Sequence, residues 1–148
     1  MMDIKNIAAV VSGMDEEYPF QIILGINSFA REHSINVSYF AAFGGIIESS
    51  DFDIGEYSIY ELPDFSCFDG VLLLSNTFSD PAIRNAVIDK VKASGRPAVI
   101  FECRDHEEFC DVSINNYSVM KKLVEQLIKV HGAKTFNFIS GPEANPEP

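Results

Sequence analysis

Five consecutive apolar residues, Ile7-Ala8-Ala9-Val10-Val11, are followed at once by Ser12-Gly13 and then by a helix start at Tyr18-Pro19-Phe20. A strand with one wet face alternates polar and apolar side chains. An unbroken apolar strand is buried on both faces, and that requires a sheet covered from both sides. Proline suits a first helical turn, where its missing N–H costs nothing. Ile22, Ile23, Ile26, Phe29 and Ala30 then recur at helical spacing as one apolar face. The chain keeps alternating in this way. Residues 36–43 read as a second strand, and Phe68-Asp69-Gly70 turns into a central strand over 71–75. Ser79-Asp80-Pro81 opens a helix carrying Ile83, Val87, Ile88 and Val91 as far as Gly95, and Arg96-Pro97 feeds a strand over 98–102. Strands over 112–114 and 135–140 bracket a helix from Tyr117 to His131. The alternation predicts an α/β fold: a doubly wound, mostly parallel, Rossmann-like sheet of about six strands with right-handed crossovers. Gly44-Gly45, Ser49-Ser50, Gly55 and Pro63 punctuate residues 44–66. That stretch reads as a loop-rich crossover, with one short helical turn or an extra edge strand near Tyr57 to Leu62.

At 148 residues the chain is long enough to bury a core as one domain. Hydrophobic and charged contents of 47% and 22% exclude a disordered chain. No apolar run reaches the roughly 18–20 residues of a membrane span. Met1-Met2-Asp3-Ile4-Lys5 lacks the basic and apolar regions of a secretory signal, so a cytoplasmic protein is expected. With 22 acidic against 11 basic residues the formal charge is −11, which repels phosphate backbones and argues against nucleic-acid contact by this segment. The three cysteines, Cys67, Cys103 and Cys110, fit reduced thiols better than a disulfide framework.

The most enzyme-like constellation is Cys103-x2-His106-x3-Cys110. Thiolates and imidazole ligate zinc, but the spacing matches no standard finger and no fourth ligand stands out. A nucleophilic Cys103 beside His106 would need an orienting group and an oxyanion hole, and the sequence marks neither. Burial of Cys103 at a strand end is the plainer reading. Neither phosphate-cradling glycine motif is present. A phospho-receiver is excluded too, because the relevant strand ends read Ser12-Gly13, Ser75-Asn76-Thr77 and Ser140-Gly141 instead of carboxylates and a lysine. Hydroxyls, amides and aromatic rings occupy the strand ends: Ser12 with Tyr18 and Phe20; Ser75, Asn76 and Thr77; Glu102 with Arg104; Asn115 with Asn116. Such groups hold a small polar ligand without transforming it, so a binding domain is expected, not an enzyme, with no cofactor and no metal. Each also has a structural role open to it, since serines close turns and Asn115-Asn116 starts a helix.

In order along the chain, these segments resemble the amino-terminal lobe of the lac-repressor/galactose-repressor sensor family, a type 1 periplasmic-binding-protein-like fold. Tyr18-Pro19-Phe20 is similar to the family's Asn-Pro-Phe helix start, with Tyr18 in place of Asn. Gly25-Ile26 and Ala30-Arg31-Glu32 stand where its first helix carries similar residues. Phe68-Asp69-Gly70-Val71-Leu72-Leu73 is similar to its V-D-G-I-I strand, and Gly95-Arg96-Pro97-Ala98-Val99 to its G-I-P-V-V strand. Residues 112–117 resemble V-x-V-D-N, with Asn115 in the aspartate position, and Ile139-Ser140-Gly141-Pro142 resembles the I-G-G-P hinge approach. The family's arginine after strand four falls one place later, behind Cys103, and its crossover helix has no clear counterpart over 44–66. The resemblance implies that residues 1–148 are a single lobe of a bilobed sensor continuing after residue 148. It also implies a homodimer that closes on a sugar, nucleobase or similar molecule. Carried over by position, the ligand contacts are Ser12, Tyr18, Phe20, Ser75, Asn76, Arg104 and Asn116. No helix-turn-helix precedes the first strand, so the expected output module follows the sensor, as in sensors ahead of diguanylate cyclases. A DNA-binding headpiece is the repressor alternative. The rival readings are a dimerisation scaffold without ligand, and a Cys/His-dependent enzyme or metal site.

Overall fold

The computed structural model describes residues 4–43, 55–103, 106 and 108–139. It divides into two compact units, Met1–Ser113 and Ile114–Pro148.

The first unit is built on a five-stranded sheet, β1 (Lys5–Ser12), β2 (Ile35–Ala42), β3 (Gly70–Leu73), β4 (Ala98–Phe101) and β5 (Cys110–Val112). The spatial order is β2-β1-β3-β4-β5 and all four pairings are parallel. Helix α1 (Glu17–His33) connects β1 to β2, and α2 (Pro81–Ala93) connects β3 to β4. The fold is α/β and Rossmann-like, with a doubly wound parallel sheet of five strands.

Alternation along the strands divides the core between the two faces. Ala8 and Val10, Val71 and Leu73, and Ile100 point to one side, where they meet Tyr57, Tyr60, Phe65 and the Val87, Ile88 and Val91 stripe of α2. Val11 and Leu74 point to the other side, against Ile23 of α1, with Tyr39 and Ala41 of β2 beside them. This two-sided burial is why β1 carries no polar side chain between Ile7 and Val11.

The local chemistry explains the helix boundaries. Asp80 Oδ1 accepts from the backbone N–H groups of Ala82 and Ile83, at 2.7 and 3.3 Å, and Pro81 takes the first helical position. Gly95 follows α2 at φ +65°, a left-handed conformation that glycine adopts without strain. The crossover resolves as 3-10 turns, Tyr57–Glu61 and Phe65–Cys67, so the helical option holds there and the extra edge strand does not. The Gly44-Gly45 and Ser49-Ser50 punctuation lies outside the described residues.

Three further expectations need correction. Phe29 is 57% exposed and stacks on His33 with ring centroids 3.9 Å apart, so α1 buries only Pro19, Ile23 and Ala30. The last strand of the sheet lies at Cys110–Val112, earlier than residues 112–114, because β4 pairs Val99 with Cys110 and Phe101 with Val112. Residues 135–139 form no strand, since no ladder among the described residues gives their backbone a partner. Periodicity alone cannot supply that partner.

The second unit contains α3 (Asn116–Lys129). Asn115 caps it, with Oδ1 accepting from Ser118 N–H at 2.9 Å. Among the described residues, no helix is long and apolar enough to cross a membrane.

Candidate functional site

The strand order reverses between β1 and β3: the chain leaves β1 toward β2 on one side and returns to β3 on the other. Loops diverge at such a switch point, and ligands of open α/β sheets gather in the crevice beyond the carboxyl ends of the strands there. In this protein those ends are Ser12-Gly13 after β1 and Ser75-Asn76-Thr77 after β3.

Hydroxyl groups tie the edge together. Ser12 N–H donates to Thr77 Oγ1 at 2.9 Å, and Thr77 Oγ1 donates onward to Leu74 O at 2.7 Å. Ser75 Oγ donates to Phe101 O at 2.8 Å, which joins the end of β3 to the end of β4. The Tyr60 hydroxyl donates to Val11 O at 2.8 Å from the crossover side. Burial pushes the Tyr60 phenol pKa well above its ordinary value, so it stays protonated and keeps its donor role. Ser12, Ser75 and Thr77 are all buried, and their bonds fix the loops.

Asn76 differs from its neighbours. It lies in the 3-10 turn Ser75–Thr77, and its Oδ1 is shielded from solvent without a hydrogen-bond partner. Buried acceptors are nearly always paired, and an unpaired one costs roughly 1–3 kcal/mol. Arg84 Nε is the other shielded side-chain atom without a partner among the described residues.

Tyr18 and Phe20 stand in the first turn of α1, just beyond the β1 loop, 44% and 46% exposed on either side of buried Pro19. At the end of β4, Glu102 takes φ +51°, a left-handed conformation costly for a residue with a side chain, while its N–H donates to Val112 O at 3.1 Å. Five of the seven expected contacts, Ser12, Tyr18, Phe20, Ser75 and Asn76, therefore share the carboxyl edge of one sheet. Ser12 and Ser75 are engaged within the fold. Arg104 lies outside the described residues, and Asn116 belongs to the second unit, as the first residue of α3.

The Cys/His cluster has a different character. Cys103 is half-buried against the main core and Cys110 is exposed. His106 Nδ1 lies 3.4 Å from Lys92 Nζ and 3.7 Å from Glu108 Oε1. The Lys92 ammonium holds the Glu108 carboxyl below its ordinary pKa. No group of three or more His, Cys, Asp and Glu side chains among the described residues is arranged to hold a metal ion.

A groove of about 310 Å³ runs between the Tyr57–Glu61 turn and α2, lined by Tyr57, Tyr60, Ile83, Val87 and Lys90 among others. Lys90 donates to the carbonyls of Tyr60 and Glu61, at 3.1 and 2.6 Å, so its ammonium is spent within the fold. Ser12, Tyr18, Phe20, Ser75 and Asn76 do not line this groove.

Arg84 was not singled out by the sequence. The available signal was a charged residue at the head of an otherwise apolar stripe, 84-87-88-91. No protein-family model matches the chain, and no curated protein matches it.

Proposed function

We propose that this chain is a ligand-sensing lobe: it binds a small polar molecule at the β1/β3 switch point and does not transform it. The observation that carries the reading is Asn76, whose amide oxygen is buried and unpartnered at the edge where such sheets take ligands. The rings of Tyr18 and Phe20, exposed at the same edge, suit stacking on a sugar or nucleobase. In this reading a second lobe closes over the site in a cytoplasmic regulator acting as a homodimer, as in the sensor family the sequence resembles. The ligand then shifts the open–closed equilibrium only as far as it prefers the closed state, and an output module reads the shift. A calorimetric screen of neutral sugars, nucleosides and small acids against the protein tests this. A specific binder with an affinity on the order of micromolar, lost in Asn76→Leu, is the expected result. A binder of equal affinity for both proteins contradicts it.

The exposed Phe20, Leu24 and Phe29 on α1 favour a second reading, a dimerisation scaffold without ligand. A chain that dimerises in sedimentation equilibrium while binding nothing in the screen meets that description.

A further inference from the structure

Arg84 heads the stripe of α2 that faces the sheet, one helical turn before buried Val87 and Ile88. Several other cations of the chain have partners. Lys5, Lys92 and Lys129 face carboxylates. Lys90 donates to two carbonyls, and Arg96 Nε donates to Ser66 O at 3.0 Å. Arg84 is half-buried, and its Nε is shielded with no acceptor among the described residues, although acidic side chains outnumber basic ones two to one in this chain. A guanidinium always carries its charge, and taking one partly out of water without a counter-group is unfavourable. On the same short segment, leaving β3 and starting α2, Asn76 Oδ1 is shielded and unpartnered in the complementary sense. One atom needs an acceptor and the other needs a donor.

We infer that Asn76 and Arg84 together recognise a small hydroxylated carboxylate, sugar acids included. The ligand's carboxylate oxygens take the Arg84 Nε–H and a terminal guanidinium N–H, and a ligand hydroxyl donates to Asn76 Oδ1. The fork of a guanidinium matches two carboxylate oxygens, which an ammonium does not do. The inference rests on the switch-point reading and adds to it the charge of the ligand. The chain's net −11 does not forbid an anion there, since surface charges more than about 8 Å away are largely screened at physiological salt.

Glycolate is the smallest probe carrying both groups. Titration into the isotope-labelled chain, followed by NMR at the Asn76 side-chain amide and Arg84 Nε–H, reads both contacts. Acetate and sodium chloride at matched ionic strength are the controls. Saturable shifts at both residues are expected, with a dissociation constant on the order of 10 mM for so small a probe. Acetate should bind more weakly and chloride should give no saturable shift. R84Q should weaken glycolate about tenfold or more, with R84K in between because it keeps charge but not the fork. Thermal melts of both variants check that the fold persists. Glycolate that shifts Asn76 equally in wild type and R84Q overturns the role of Arg84 while leaving a ligand site at Asn76 standing. Absence of any saturable shift in the wild type overturns the charged-ligand inference, and the neutral compounds of the calorimetric screen then judge the switch-point site on their own. Shifts that sodium chloride reproduces overturn it as well, because they report ionic strength alone.

Discussion

At the scale of single residues, Asn76 and Thr77 are neighbours with opposite accounts. Thr77 is fully engaged, accepting from Ser12 N–H and donating to Leu74 O, so its hydroxyl serves the fold. Thr77→Val keeps the shape but leaves the buried Ser12 N–H unpaired. A loss of about 1–3 kcal/mol is expected in denaturant unfolding, and an unchanged midpoint would remove the bond from the account. Asn76 Oδ1 has no bond to lose. Asn76→Leu is therefore expected to leave the melting temperature unchanged or raise it by a few degrees, while abolishing ligand binding. A large drop in melting temperature would instead make Asn76 a structural residue. Ser12 and Asn76 look equally functional in the sequence, since both are small polar residues at strand ends. The long-range partners that separate them, Thr77 for Ser12 and none for Asn76, leave no local trace.

At the scale of elements, features set by neighbouring residues were legible and those set by distant ones were not. The Asp80-Pro81 start of α2 and the Asn115 cap of α3 follow from one or two side chains meeting the N–H groups just after them. The crossover turn at Tyr57–Glu61 instead depends on Tyr60 reaching Val11 O and on Tyr57 bonding with Ser79 at 3.1 Å, and no periodicity announces such contacts. Glu102 at φ +51° carries no glycine to mark it. Another long-range clamp joins β1 to the turn before β3: Asp69 Oδ2 accepts from Asn6 N–H at 2.8 Å, and Asp69 N–H donates to Asn6 O at 2.8 Å. The Asn6 N–H holds the Asp69 carboxyl below the ordinary aspartate pKa, with the Lys5 ammonium adding to the effect. Because the folded carboxyl titrates below the unfolded one, the clamp's contribution is complete above about pH 4 and is lost as pH falls through the depressed folded value. Wild-type stability should decline over that acid window, and the decline should be shallower in Asp69→Asn. Identical acid slopes would contradict the clamp.

At the scale of the molecule, every described member of the two buried clusters lies in the first unit. Residues 1–113 alone are accordingly expected to unfold in one cooperative transition, and a broad non-cooperative melt would show that the sheet needs more of the chain. The alternation in the sequence anticipated the doubly wound layering, because an unbroken apolar β1 demands cover on both faces. It did not give the strand order. The 2-1-3-4-5 arrangement, which puts Ser12 beside Ser75-Asn76-Thr77, comes from tertiary pairing.

The central claim is that a small ligand binds where β1 and β3 diverge. The most direct measurement is a two-dimensional NMR spectrum of the chain, recorded with and without the tightest compound from the calorimetric screen. The account predicts perturbations concentrated at the Asn76 side-chain amide and the backbone amides of Ser12, Gly13 and Thr77. Perturbations confined to the groove between Tyr57 and α2, or a screen that yields no binder at all, would contradict it.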